Sequence, residues 1–263
     1  MSNSQSMLLL TQYGSLLNVA FGKWPFNVPD RKTGRQGLEE LRLLDPKRVW
    51  NFVEINVSKE ELEEQQEDLI SHAFPRTTVM DMTIGPALYF GARGKGVMLM
   101  EGMDPSHLES YVPFQSKCRV LLLGNGADEQ LGGYGRHRTA HKHRCASGLQ
   151  LELNKDTSRL WIRNFGRDDR IISSLSKESR YPFLDRDFMQ FLNETPLGLI
   201  CDFRLPPGSG DKRILREAAK CVGLRESCCF PKRAIQFGSR ISHLTERKKG
   251  GHIHFQGFVG DKS

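Results

Sequence analysis

The chain has 263 residues with an apolar content of 38% and an aromatic content of 9%, enough for one sizeable core or a core plus a smaller lobe. Its longest apolar runs fall far short of the ~20 residues that cross a bilayer, so no membrane partner is expected. A net charge of +7 admits polyanions, but the excess is concentrated in Arg136 to Arg144 and Glu246 to Lys249 without interleaved aromatics, so nucleic acid is not an expected partner. The six cysteines lack zinc-pair spacing and read as cytoplasmic thiols, with the adjacent Cys228 and Cys229 either redox-active or simply part of a half-buried segment.

In chain order, residues 1–14 are polar and weakly patterned and read as a poorly ordered terminus. Ser15 to Phe21 reads as a short apolar strand, and Lys23 to Gly37 as an irregular loop within which Pro29 opens a helix. Leu38, Leu41 and Leu44 share one face of that helix, which ends before Pro46. Val49 to Val57 alternates as a strand should, with Val49, Asn51, Val53, Ile55 and Val57 on one side. Ser58 and Glu61 form a capping box for an acidic surface helix reaching His72. Asp81 to Gly94 suggests a closely packed helix starting near Pro86, and Gly102 to Lys117 a loop.

The most informative stretch is Val120 to Tyr134, VLLLGNGADEQLGGY. Four apolar residues end in Gly-Asn-Gly, which reads as a buried parallel strand followed by a loop at its carboxyl end, where ligands of open α/β sheets gather. Gly124 and Gly126 would let backbone approach a ligand, and Asp128 or Glu129 could hold Mg²⁺; an ordinary turn with solvated acids is the alternative. His137 to Gly148 reads as basic and exposed; its histidines lack the cysteine or carboxylate partners of a metal set. Leu149 to Phe165 is mainly helical, with Leu151, Leu160 and Ile162 as core candidates. Asn164 to Asp185 is so charged that a salt-bridged surface helix competes with a site. Phe188 to Leu192 continues as helix, and Lys212 opens another whose Ile214, Leu215 and Ala218 could face the core. A helix start carrying a lysine suits an anion. Phe230 begins a last segment ending near Ile241, and residues 244–263 read as a disordered tail.

Taken together, LLLGNGADEQLGGY (Leu121 to Tyr134), GRDDRIISSLSKESRYPFLD (Gly166 to Asp185), GDKRILREAA (Gly210 to Ala219) and PKRAIQFGSR (Pro231 to Arg240) resemble the synthetase domain of asparagine synthetases. PDRKTGRQGLEEL (Pro29 to Leu41) and VWNFVEINVS (Val49 to Ser58) narrow the likeness to the asparagine synthetase domain-containing proteins. The resemblance implies an α/β, parallel-sheet ATP-pyrophosphatase fold over residues 15–243 with a mostly helical C-terminal half. It implies ATP and Mg²⁺ as cofactors and aspartate as substrate, amidated through an acyl adenylate. By the same likeness Asp128 is a Mg²⁺ ligand, Lys212 a catalytic cation, and Leu123, Gly124, Gly126, Phe21, Arg170, Glu178, Arg180 and Lys232 line the nucleotide and substrate pocket. Three departures follow. The family's Ser-Gly-Gly-x-Asp-Ser pyrophosphate loop and its strand are not found in this sequence, nor is the glutaminase domain, and Asn125 stands where active members carry Glu. A carboxamide cannot take a proton as a carboxylate can, and one lost oxyanion donor alone costs about 3–4 kcal/mol. The expectation is therefore an asparagine synthetase-like domain that is catalytically incomplete, or a non-catalytic scaffold of the same fold; a sheet deprived of an inner strand would also expose unpaired backbone.

Overall fold

The structure, a computed structural model, describes residues 13–76 and 78–244. The expectations for residues 1–12 and for the tail from residue 245 lie outside the described residues.

The first half builds a four-stranded sheet covered by helices. β1 (Tyr13–Phe21) pairs in parallel with β2 (Val49–Val57), and the crossover between them is α1 (Pro29–Leu44), with Pro29 at its first turn. Ser58 caps α2 (Lys59–Glu64) by accepting from the Glu61 N–H. The acidic helix expected to run to His72 breaks at Gln65, and α3 (Gln66–Ala73) follows. α4 (Val79–Arg93) starts seven residues earlier than its proline suggested, because a capping box between Thr78 and Asp81 satisfies the first free N–H groups and leaves Pro86 inside the helix. Gly94, in the left-handed region at φ 66°, ends it.

The stretch from Gly102 to Lys117, read as a loop, instead contains β4 (Tyr111–Gln115), which forms a hairpin with β3 (Lys95–Leu99) that adds antiparallel to β2 in the order β1-β2-β3-β4. Gly96 makes this possible: a Cβ there would lie 2.5 Å from the Glu54 carbonyl oxygen. The sheet is thus mixed rather than parallel throughout. β2 is also buried on both faces, so its alternation misled: Phe52 and Glu54 are as enclosed as Val53 and Ile55. Glu54 is matched by Arg31 of α1, whose Nη1 lies 2.5 Å from Glu54 Oε2. Arg31 also donates to the side-chain oxygens of Asn18 and Asn56, and Arg35 adds a second guanidinium that reaches Glu54 and the Tyr111 hydroxyl. A buried charge is tolerable only when paired in this way, and here the pairing stitches α1, β1, β2 and β4 together.

The second half is mostly helical. β5 (Val120–Leu122) pairs in parallel with β6 (Glu178–Arg180) as a separate two-stranded sheet. The strand read as buried is in fact short and open, with Val120 47% and Leu122 74% exposed. Among the described residues, β1 has a strand partner only on its β2 side and β5 only on its β6 side. α5 (Ala127–Gln130) and α6 (Gly135–Leu160) follow β5, and a π-helical turn at Trp161–Phe165 leads into α7 (Gly166–Ser173). His137, expected on a basic exposed stretch, is fully buried in α6, whereas Leu151 and Ile162, expected in the core, are exposed. Both sheets rest on the α4/α7 layer: Val19 of β1 lies against Gly91 of α4, Ile171 of α7 packs on Gly85, and Ser179 of β6 donates to Asp169 of α7. The run read as a charged surface helix contributes Arg167, Asp168, Ile171 and Ile172 to the interior.

α8 (Arg186–Glu194), α9 (Leu197–Ile200) and α10 (Arg213–Cys221) surround a second apolar cluster containing Leu131, Leu149, Leu153 and Leu192, with Ile214 and Leu215 at its margin and Ala218 exposed. The last segment, with α11 (Ile235–Gly238), runs across the carboxyl ends of both sheets: Lys232 reaches Asp128, Arg233 reaches Asp30, and the Ser239 carbonyl accepts from the Phe21 N–H at 2.9 Å. No helix among the described residues is long and apolar enough to cross a membrane.

Removing one member of the Arg31–Glu54 pair leaves the other charge buried. Glu54→Ala is therefore expected to lower unfolding stability by about 3–5 kcal/mol in urea titrations, whereas Glu39→Ala, an exposed partner of Arg42, is expected to change it by less than about 1 kcal/mol.

Candidate functional site

The loop after β5 is shaped by its glycines. Leu123 extends the pairing by donating to the Arg180 carbonyl at 2.9 Å, and Gly126, at φ 93°, turns the chain into α5. A Cβ at Gly126 would sit 2.6 Å from the Leu184 side chain, so the position is closed to other residues on both counts. Asp128 then stands in the first turn of α5. Gly132, at φ 72°, reverses the chain, and the Gly133 N–H donates to the Asp128 carbonyl at 2.8 Å. The return is so close that a Cβ at Gly133 would lie 2.0 Å from Asp128 Oδ1. The Gly-Gly pair is what lets backbone fold over the acid.

Two lysines from distant segments meet this carboxylate. Lys212 caps the start of α10 in the left-handed region (φ 51°), anchored by its own N–H on the Leu131 carbonyl. Its Nζ lies 3.0 Å from Asp128 Oδ1, yet off the direction a hydrogen bond needs, so among the described residues that enclosed oxygen has no hydrogen-bond donor. Lys232 Nζ is 3.5 Å from Asp128 Oδ2 and 4.8 Å from the centre of the Tyr134 ring, a cation–π distance. All three side chains keep about a fifth to a quarter of their surface exposed, so the cluster opens to solvent. Two ammonium groups on one carboxylate leave a net positive site, the charge that a phosphate-bearing ligand requires.

Two polar networks brace the loop. The Tyr134 hydroxyl donates to Glu129 at 2.6 Å, and burial together with that carboxylate holds the phenol protonated. Beneath Tyr134, His137 accepts the Tyr134 N–H at Nδ1 and meets Asp156 at 2.8 Å through Nε2, which places its proton on Nε2. Burial lowers the His137 pKa, against the opposing pull of Asp156. On the other side Asn125 donates to Asp168 at 2.6 Å, Asp168 is paired with Arg167, and Arg167 reaches Asp81 at 2.6 Å. Burial raises the Asp168 pKa despite Arg167.

No family model matches the chain. Among curated proteins it is 48% identical over 220 residues to an asparagine synthetase domain-containing protein of Gallus gallus, covering 83% of the chain and 34% of that protein. It is 46% identical over 219 residues to the Homo sapiens protein of the same name, covering 83% of the chain and 33% of that protein. The chain belongs to the asparagine synthetase domain-containing proteins. It spans about a third of the length of these relatives. A putative glutamine-hydrolysing asparagine synthetase of Methanocaldococcus jannaschii is 34% identical over 93 residues, 35% of the chain and 17% of that protein.

The residues expected to form the site of this asparagine synthetase-like domain fall into separate groups. Asp128, Lys212 and Lys232 come together, with Gly126 shaping their loop. Gly124 is exposed, and nothing crowds the position a Cβ would take there. Phe21 is a core residue packed edge-on against Phe90. Arg170, expected in the pocket, instead donates to the His72 and Ala73 carbonyls at the end of α3, where a guanidinium satisfies free acceptors. Glu178 and Arg180 are exposed and paired with each other at 2.8 Å. Arg180 lines an open cleft of about 540 Å³ together with Phe165, Tyr181 and Leu184, the last of which also packs against Gly126. Sequence reasoning missed Tyr134, Arg167, Asp168 and Asp81 as parts of the site; the run of opposite charges Arg167, Asp168, Asp169 and Arg170 was visible, but the burial of its first two members was not. Among the described residues no cluster of three or more His, Cys, Asp or Glu exists that could hold a metal by itself.

Two outcomes are expected. Gly133→Ala, which forces a methyl against the Asp128 carboxylate, should lower stability by about 1–3 kcal/mol in urea unfolding, whereas Gly135→Ala, with open space at its Cβ, should be neutral or slightly stabilising. Because the fold keeps His137 neutral, its contribution is complete above the unfolded histidine pKa of about 6.5 and is lost as pH falls below it toward the lower folded value. Unfolding free energy measured from pH 7.5 down to 5.5 should therefore fall more steeply in the wild type than in His137→Gln.

Proposed function

We propose that the chain is a nucleotide-binding domain of the ATP-pyrophosphatase fold, related to the AMP-forming amidation of aspartate but unable to complete that reaction by itself. The observation that carries this reading is the Asp128 carboxylate set between Lys212 and Lys232 with one enclosed oxygen lacking a hydrogen-bond donor. The donor set suits Mg-ATP: Mg²⁺ takes one or two protein carboxylates and completes its shell with phosphates and water, so a single acid is sufficient when the phosphates come with the ion. Asp128 would hold the ion, and Lys212 and Lys232 would take the phosphate oxygens, neutralising charge where it lies densest. ATP, when bound, would supply an adenylyl group to a substrate carboxylate, with pyrophosphate as the leaving group. In the absence of that ligand the lysines neutralise Asp128 instead, so binding exchanges one ion-pair set for another.

The amidation step is where this chain falls short. Asn125 stands in the place of the family carboxylate and donates its amide to Asp168, so it cannot act as a base. Glu178 and Arg180 neutralise each other on the surface, and Arg170 is committed to backbone carbonyls, which supports a scaffold reading for that side of the domain. Cytoplasmic action accords with the free cysteines among the described residues.

Calorimetric titration with Mg-ATP tests the proposal. Binding is expected for the wild type, its loss for Asp128→Ala, and a roughly 10- to 100-fold weaker Kd for Lys212→Met, the effect of one charge-assisted hydrogen bond. ATP/pyrophosphate exchange with aspartate and ammonia is expected at background; exchange comparable with an intact synthetase would show that the chain does complete the chemistry. Heat of binding unchanged in Asp128→Ala would remove the assigned pocket.

A further inference from the structure

Between Lys212 and Lys232 along the chain lies a pair of thiols that the proposed function does not use. Cys228 and Cys229 occupy a short 3₁₀ turn, Ser227–Cys229, and their sulfurs stand 3.6 Å apart. Both face the Arg225 carbonyl, Cys228 Sγ at 3.1 Å and Cys229 Sγ at 3.6 Å, so the two side chains project to the same side of the turn. Cys228 is buried and Cys229 is exposed. Two sulfurs held by one soft centre at about 2.3 Å stand roughly 3.3–3.7 Å apart, so the observed spacing is that of a dithiol able to share one such centre.

The turn is clamped from two sides. Glu40 of α1 accepts three consecutive backbone N–H groups, Arg225, Glu226 and Ser227, at 2.7, 2.7 and 2.8 Å, and these bonds hold its carboxyl down to about 2. Arg216, buried in α10, donates to the Cys228 carbonyl at 2.7 Å and the Phe230 carbonyl at 3.0 Å, while its other nitrogens hold Asp211. The Cys228 carbonyl belongs to the peptide that joins the two cysteines. Arg216 therefore ties that peptide to Asp211, the residue before Lys212, while Lys232 follows the turn by three residues.

We propose that Cys228 and Cys229 form a two-thiol modification site at which a hydroperoxide closes a vicinal disulfide, and that closure releases the Arg216 clamp positioning Lys212 and Lys232 around Asp128. The exposed Cys229 thiolate attacks the peroxide; the O–O bond breaks, one oxygen stays as the sulfenic acid and the other leaves with a proton as water or an alcohol. The Cys228 thiolate then displaces the sulfenic oxygen, the S–O bond breaks, and that oxygen leaves as a second water. Two thiols are oxidised and one peroxide is reduced. The sulfurs must approach from 3.6 Å to about 2.05 Å, and a bridge between adjacent residues closes an eight-membered ring that includes the intervening peptide, so closure turns that peptide, whose carbonyl Arg216 holds. Burial and the neighbouring Cys229 push the Cys228 thiol up despite the nearby Lys220, in keeping with the exposed Cys229 as the thiol that meets the peroxide and Cys228 as the one that closes on it.

The test uses the full chain, reduced, desalted and treated with hydrogen peroxide, then alkylated and digested with trypsin. The peptide from Glu226 to Lys232 is expected to lose two hydrogens and resist alkylation, while the other cysteines remain alkylated. Phenylarsine oxide is expected to bind one equivalent to the reduced wild type and less than a tenth of that to Cys229→Ser. Amide hydrogen exchange over 211–217 and 231–240 is expected to accelerate several-fold on oxidation of the wild type and not of Cys229→Ser. An alkylated dithiol after peroxide, or oxidation running on to sulfinic acid, overturns the site. A disulfide that leaves amide exchange unchanged, or acceleration that persists in Cys229→Ser, overturns the clamp. Mass and exchange are read without nucleotide, so these failures are distinguishable from a failure of Mg-ATP binding.

Discussion

Asp128 draws together three segments that share no local structure: the loop after β5, the start of α10 and the strap that follows the Cys228–Cys229 turn. One carboxylate can hold two ammonium groups only where backbone gives way, and Gly132 and Gly133 provide that room by turning the chain over the acid. The same strap carries Arg233 to Asp30 and Ser239 to Phe21, so the contact at Asp128 also seats the C-terminal segment across the first sheet. Electrostatics and chain path are here a single arrangement. A ligand that takes the lysines would act on both.

A second constraint is the division of the strands into two sheets on one helical layer. β1 rests on α4 and β6 on α7, and these helices pack on each other through Gly85 and Ile171. Val120 and Leu122 share one face of the short β5 and are exposed although their pattern reads as interior. Arg31 and Glu54 work in the opposite sense: a surface-type pair by composition, they are enclosed between α1, which carries Arg31, and β2, which carries Glu54.

Much of the first half was legible. The strands at residues 15–21 and 49–57 and the helix between them follow from apolar content, alternation, a proline at the helix start and a proline beyond its end, all local signals; Tyr13 and Gly14, read as part of a poorly ordered terminus, belong to β1 because β2 pairs with them. The hairpin after α4 was not, because Lys95 to Leu99 is short and carries a glycine, and its strand character comes from pairing with β2 and β4 rather than from its own composition. Likewise Pro86 seemed to open a helix that Thr78 and Asp81 had already begun; it is the eighth residue of that helix, where it forfeits one intrahelical hydrogen bond that the side-chain cap and the buried packing around it outweigh. At the site, motif order brought Asp128, Lys212 and Lys232 to notice, whereas Arg170 looked equally promising until the carbonyls at the end of α3 were seen to claim it.

The sequence by itself determined the elements set by nearest neighbours, the glycine-shaped loop around Asp128, and the likeness to asparagine synthetase domains that aligned relatives share. Only the tertiary structure decided which charges are buried, which strands pair, and that Asn125 gives its amide to Asp168 while Arg216 grips the peptide between two cysteines. The reason is physical: a residue type states what it can donate, accept or exclude, but whether water or another segment answers it depends on contacts between residues dozens of positions apart, which no local pattern encodes.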